Sequence, residues 1–178
     1  VLATQNPIEM EGTYPLPEAQ LDRFFFKLKV EYPGYDDLLS IVDRTTSGTL
    51  PLLEQVLSAP EIAEFQDLIR AVPASQPVMD YAVRLVYATH PGREKAVDEV
   101  NRFVRYGSSP RGAQSLILAA KVYALLDGRF NVGFEDIRRA ALPSLRHRLI
   151  LSFQGEAEGV DPDRVIERVL ESTPEATG

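Results

Sequence analysis

The chain has 178 residues, 26 acids against 19 bases, a formal charge of -7 and 44% hydrophobic residues, enough to bury a core in one domain or one domain and part of another. It holds no cysteine and only two histidines, His90 and His147, so a disulfide scaffold, a thiolate zinc centre, a cysteine nucleophile and a histidine-rich metal site are set aside. No apolar run approaches the ~18 residues of a membrane span and no basic leader opens the chain, so a soluble, cytoplasmic protein is expected, with nucleic acid disfavoured as a partner by the acidic total.

In chain order, the first expected element is the end of a buried strand at Val1-Leu2-Ala3. An apolar start without methionine reads as a segment beginning inside a larger domain. Ala3-Thr4-Gln5-Asn6-Pro7 leads from that strand into polar residues. Asn6 there offers an acceptor and two donor hydrogens just past a strand end, where ligands of open α/β sheets bind; a plain asparagine-proline turn is the competing reading. A short helix from Glu18 to Asp22 then delivers Arg23. From spacing alone Arg23, placed just before an aromatic-led strand, reads as a surface cation paired with Asp22 or Glu18.

Next, Phe24, Phe26, Leu28 and Val30 alternate with Phe25, Lys27 and Lys29, the period of a strand. Two strands alone do not make a stable sheet, so the rest of a sheet is expected outside the chain. From about Tyr35 the periodicity is helical. Leu38, Leu39, Ile41 and Val42 form one stripe, and Ser58-Ala59-Pro60-Glu61 has capping-box spacing ahead of Ile62, Phe65, Leu68 and Ile69. Ser75 precedes a third stripe, Val78, Tyr81, Ala82, Leu85 and Val86, and after Pro91-Gly92 a further segment ends in Phe103 and Tyr106.

Ser108 or Ser109 caps the most apolar helix, Pro110 to about Leu126, whose apolar residues exceed one stripe and place it centrally in a bundle. Arg111 sits in its first turn, where the helix dipole disfavours a cation unless an anion joins it. Phe134 to His147 and Asp161 to Leu170, the latter capped by Asp161, complete the helices. Charge is uneven along the way. Residues 102–149 hold nine bases and three acids, whereas 31–80 hold two bases and nine acids. A basic block of that kind is either a solvated surface or an anion-binding one. His147, flanked by Arg146 and Arg148 and without obvious partners, reads as structural.

Taken together, Ala3-Thr4-Gln5-Asn6-Pro7 and Glu11-Gly12-Thr13-Tyr14-Pro15-Leu16-Pro17-Glu18-Ala19-Gln20-Leu21-Asp22-Arg23-Phe24 resemble the MoxR family of AAA+ ATPases nearly residue for residue. Ser109-Pro110-Arg111-Gly112 and Leu145-Arg146-His147-Arg148-Leu149 resemble that family's lid, and the likeness extends to about residue 155. The resemblance implies a mainly α fold, a helical-bundle AAA+ lid with a short strand-helix-strand remnant of the α/β core. Residues 1–30 would be the end of the core and residues 31–178 the lid domain. By the same resemblance Asn6 is the sensor-1 asparagine, Arg23 the arginine finger acting in trans, and Arg111 the sensor-2 arginine, in cis or in trans.

What the resemblance implies for the parent protein is ATP and Mg2+ as cofactors and a homo-oligomeric ring, a hexamer. That ring would remodel client proteins or metalloenzyme complexes like a chaperone, beside von Willebrand factor A domain partners. No G-x-x-x-x-G-K-[ST] and no apolar run ending in Asp-Glu occurs in the chain, so neither a nucleotide cradle nor magnesium ligands are expected here, and the chain alone is expected to be inactive. The alternative is a non-enzymatic helical module whose basic 102–149 segment recruits an acidic partner or nucleic acid.

Overall fold

A computed structural model describes residues 1–5, 16–48 and 53–175. Asn6 and most of the Glu11–Phe24 block's first half lie outside the described residues. In chain order the elements are α1 (Glu18–Leu21), α2 (Tyr35–Thr46), α3 (Ala59–Ala71), α4 (Gln76–Ala88), α5 (Asp98–Phe103), β1 (Val104–Tyr106), α6 (Pro110–Leu126), α7 (Phe134–Leu145), β2 (Ile150–Leu151), α8 (Phe153–Ala157) and α9 (Pro162–Ser172). The fold is mainly α, as expected. The chain divides into two compact units, one of residues 28–71 and one joining residues 1–27 to residues 72–178.

The larger unit holds the core. Tyr81 and Leu85 from α4, Leu116 from α6, Ile137 and Leu145 from α7 and Ile166 from α9 are all essentially inaccessible. Against α7, α6 turns a face of small residues. Gly112, Ser115, Ala119 and Ala120 are buried on α6 and Ala140 and Ala141 on α7, so the two backbones approach closely. A Cβ on Gly112 would fall onto Ser108 Oγ and within 3.0 Å of Leu145 Cδ2. The surplus of apolar residues on α6 does not bury it on all sides: Leu116 and the small residues are buried, whereas Ile117, Leu118, Val122, Tyr123 and Leu125 are half-buried and Leu126 is exposed.

Helix starts follow the side-chain signals. Ser109 accepts from the Arg111 amide at 3.2 Å and Asp161 from the Asp163 amide at 3.0 Å, each followed by a proline in the first turn. Asp136, with 2% of its side chain exposed, starts α7 by accepting from the Gly133 amide at 2.8 Å and from both terminal nitrogens of Arg129. That burial is tolerable only because the carboxylate is fully engaged.

The small sheet is not where strand periodicity put one. Val104 faces Leu151 and Tyr106 faces Ile150 in an antiparallel pair, so the segment expected to run as a helix to Tyr106 leaves its helix at Phe103. Here tertiary pairing with residues 44 and 47 positions later outweighs local helical preference. Conversely, neither Val1-Leu2-Ala3 nor Phe24–Val30 is a strand, and Val1 and Leu2 are exposed. Alternation makes a strand only where a neighbour completes the hydrogen-bond ladder, and no strand pairs with either segment among the described residues. Residues 22–27 instead spend their carbonyls on side chains from the end of α7, as set out below.

The smaller unit consists of α2 and α3. The capping box before α3 is present, Ser58 N donating to Glu61 Oε2 at 2.7 Å and Glu61 N to Ser58 Oγ at 3.4 Å. The apolar stripes are also present, but Leu38, Leu39, Ile41, Val42, Ile62, Phe65 and Leu68 are exposed and neither helix has a buried residue.

Candidate functional site

The site is built from two stretches far apart in sequence, residues 22–27 after α1 and residues 107–111 opening α6, with the end of α7 beneath them. Its position begins at the end of α4. There Thr89 Oγ1 donates to the Val86 carbonyl at 2.6 Å and accepts from the Ser108 amide at 2.9 Å, while His90 Nε2 lies 3.0 Å from the Ser108 carbonyl. At Gly107 a Cβ would come within 2.6 Å of the Thr89 carbonyl oxygen, so only glycine permits this approach. The start of α6 is thereby fixed to α4 before Ser109 caps it.

From that fixed start, two side chains reach one carboxylate. Ser109 Oγ donates to Asp22 at 2.7 Å (Oδ1) and 2.9 Å (Oδ2), and Arg111 Nη1 donates to Asp22 Oδ2 at 2.8 Å. The anion demanded by an arginine in the first turn of α6 is thus met, in part, from within the chain. Among the described residues one guanidinium N–H is used, and the Arg111 side chain remains 53% exposed. An arginine carries five such donors, so this one keeps capacity for a further anion.

Below the carboxylate lies Arg148, whose side chain is 1% exposed. It donates to the carbonyls of Asp22 at 3.1 Å, Phe24 at 2.7 Å and Phe25 at 3.3 Å, to Asp22 Oδ1 at 3.2 Å, and to the Ser144 carbonyl. His147 Nε2 stands 2.9 Å from the Phe24 carbonyl. Because a carbonyl only accepts, Nε2 carries the proton. Arg146 donates to the Lys27 carbonyl at 3.1 Å and pairs with Asp163 at 2.9 Å, and the Lys27 amide donates back to the Pro143 carbonyl at 2.9 Å. Three consecutive side chains thus hold residues 22–27 where a sheet neighbour would otherwise do so.

Electrostatics follow the contacts. Burial alone would raise the Asp22 carboxyl, but hydrogen bonds from Ser109 and Arg111 and the charges of Arg148 and Arg111 outweigh it, and the net shift is below the usual carboxylate range. His147 is shifted below an ordinary imidazole, chiefly by burial, with the charges of Arg148 and Lys27 adding to that and the Phe24 carbonyl and Asp22 opposing it. Its Nδ1 is buried without a partner among the described residues. A second proton there would be an unpaired buried charge, so the structural reading of this histidine holds.

Of the three residues singled out by resemblance, Asn6 lies outside the described residues. Arg23 is exposed just beyond α1, with its amide donating to the Gln20 carbonyl at 3.1 Å. Among the described residues its guanidinium makes no ion pair with Asp22 or Glu18, because Asp22 is taken by Arg111 and Arg148. Arg111 is at the helix start. The residues that sequence reasoning missed are Asp22, Ser109 as a tether, and Arg146 and Arg148 as the clamp. All of them fall within the segments that carried the resemblance, and none was linked to another.

Comparison with known proteins agrees with the fold at both ends of the chain. Residues 98–169 match the family described as the AAA lid domain, and residues 1–26 match the ATPase family associated with various cellular activities (AAA). The chain is 40% identical over 172 residues to Chaperone MoxR1 of Mycobacterium tuberculosis, a match spanning 97% of this chain and 45% of that protein. It is 31% identical over 166 residues to Protein MoxR of Paracoccus denitrificans, covering 85% of this chain and 48% of the relative. A crystal structure of a candidate ATPase from Cytophaga hutchinsonii superposes with a TM-score of 0.87 at 34% identity, covering 96% of this chain and 52% of that one. The chain therefore spans about half the length of the relatives it matches.

Proposed function

Because this chain belongs to the MoxR family of AAA+ ATPases, we propose that it supplies the phosphate-sensing and finger residues of an ATP-hydrolysing ring rather than its nucleotide cradle. Residues 1–30 act as the end of the ATPase core and residues 31–178 as its lid. Arg111 is the sensor-2 arginine, Arg23 the finger directed at a neighbouring subunit, and Asn6 the sensor-1 asparagine. The observation that carries this reading is the pair of exposed arginines, Arg23 and Arg111, the first adjacent to Asp22 in the chain and the second bonded to the Asp22 carboxylate.

The residues fit a phosphate. Among the described residues Arg111 keeps unengaged N–H groups beside the first turn of α6, and Asp22 fixes its Nη1 end so that the remaining fork is oriented before any ligand arrives. ATP with Mg2+ supplies the transferable γ-phosphoryl group and its leaving diphosphate when bound. This chain's part is to meet the negative charge that spreads over the phosphoryl oxygens, the work that positioned arginines do in phosphoryl transfer. No magnesium ligand is assigned to it. The ring, a hexamer in the cytoplasm, would convert turnover into lid movement that remodels client proteins, beside von Willebrand factor A domain partners. Similarity to a protein named as a chaperone supports that assignment.

The test uses the full-length protein. Arg23→Ala is expected to lower kcat by about 10³ or more, the usual worth of a finger, with nucleotide affinity nearly unchanged. Arg111→Ala is expected to weaken nucleotide affinity and kcat together. Turnover within about threefold of the parent for Arg23→Ala would refute the finger assignment.

A further inference from the structure

Arg23 and Arg111 are 88 residues apart in sequence, yet a single carboxylate lies between the elements that carry them. Asp22 is joined to Arg23 by one peptide bond. Its side chain takes the Arg111 Nη1 hydrogen at 2.8 Å and the Ser109 hydroxyl at 2.7 Å, and its carbonyl takes an Arg148 hydrogen at 3.1 Å. Only 16% of the Asp22 side chain is exposed, so the carboxylate is largely shielded from water although its Arg111 partner is half-exposed. Arg148 is equally committed, with three carbonyls of the 22–25 stretch and the Ser144 carbonyl on its guanidinium.

Two guanidinium groups, those of Arg111 and Arg148, therefore gather around one acid, and the exposed Arg23 is its next neighbour in the chain. Without a carboxylate between them, Arg111 and Arg148 would repel each other across the start of α6. With it, the first turn of α6 and the chain around Arg23 are tied to each other. An interaction that reorients Arg111 cannot leave Asp22 where it was, and Asp22 cannot move without carrying its neighbour.

We propose that Asp22 is a positioning residue that couples the anion-sensing arginine of α6, Arg111, to the aim of Arg23. Asp22 touches no nucleotide; it acts through the two arginines. The proposal rests on the assignment of Arg23 and Arg111 given above and adds the joint between them. It also accounts for Ser109, whose hydroxyl serves α6 as cap and Asp22 as donor. The serine registers the helix start and the carboxylate on each other.

The test is a mutant cycle in the full-length protein, with kcat and KM for ATP measured beside unfolding midpoints. Asp22→Asn keeps the shape and one acceptor but loses the charge. It is expected to lower kcat about tenfold with KM changed less than about threefold, since misaim costs rate more than ground-state binding. In an Arg111→Ala background the same substitution is expected to cost less than about twofold, because the residue through which it acts is gone.

An equal penalty in both backgrounds would show a merely structural role and overturn the proposal, as would an Asp22→Asn kcat within about twofold of the parent. Ser109→Ala provides a second handle should Asp22→Asn not fold. It removes one donor from the carboxylate and is expected to lower kcat about threefold, an unchanged kcat counting against the joint. If Arg23→Ala and Arg111→Ala slow turnover while Asp22→Asn and Ser109→Ala do not, the coupling alone is wrong. If neither arginine matters to turnover, the functional assignment falls and the coupling with it.

Discussion

His147 shows how one proton is tied to the integrity of the site. Its Nε2–H is spent on the Phe24 carbonyl and its Nδ1 is buried without a partner among the described residues, so the folded state favours the neutral ring. The folded pKa lies below the ordinary value of about 6.5, through burial first and the Arg148 and Lys27 charges next, with the Phe24 carbonyl and Asp22 pulling the other way. Between the two pKa values the unfolded chain holds more protons than the folded one. Stability is then fully present above about pH 6.5 and is lost as pH falls from there through the folded pKa.

Urea midpoints measured from pH 7.5 to pH 5 should therefore decline, and His147→Gln, whose amide can still donate to Phe24, should at least halve the slope. An unchanged slope would show that another group titrates. At this scale, sequence showed Ser109 as a cap and Arg111 as a cation in want of an anion. It could not show that Asp22 is that anion, because an ion pair spanning 89 residues leaves no local spacing to read.

At the scale of elements, α6 and α7 illustrate how a glycine can be required inside a helix. In an open helical position, alanine in place of glycine gains about 1 kcal/mol from backbone entropy. At Gly112 a Cβ would overlap Ser108 Oγ and press Leu145 Cδ2 at 3.0 Å. Overpacking of this kind costs about 1–3 kcal/mol, so the sign reverses. Gly112→Ala is expected to lower the unfolding free energy, and a stabilised variant would show that α7 yields easily.

The caps at Ser58, Ser109 and Asp161 were legible because each acts within three residues of itself. The alternation at Phe24–Val30 misled for the opposite reason. A strand is a property of two segments, and here the carbonyls of residues 22–27 go to Arg146, His147 and Arg148 rather than to a ladder. Val104–Tyr106 carried no comparable signal and became a strand through its pairing with Ile150–Leu151.

For the molecule as a whole, the two units differ in what stabilises them. Residues 72–175 enclose an inaccessible core of Tyr81, Leu85, Leu116, Ile137 and Ile166, whereas α2 and α3 have no buried residue. Isolated helices of 12 or 13 residues are marginal in water. In the 178-residue chain, hydrogen exchange is expected to be about a hundredfold faster or more for the amides of α2 and α3 than for those of α4, α6 and α7. Equal protection would mean that the exposed stripes are covered in solution. Periodicity announced those stripes correctly, but whether a stripe is covered depends on a surface elsewhere, which a local pattern does not encode.

The clamp at residues 146–148 also sets an order in time. Arg148 is 126 residues from the Asp22 it grips, and Arg146 is 119 from Lys27. At synthesis rates of about 5–20 residues per second, the stretch bearing Arg23 leaves the ribosome roughly 6–25 s before its anchor exists. Closing so long a loop then waits on the completion of α7, after the shorter-range contacts of the lid. Arg23 acquires a defined direction only as one of the last events of folding, so a nascent chain would be assembled before it could be active.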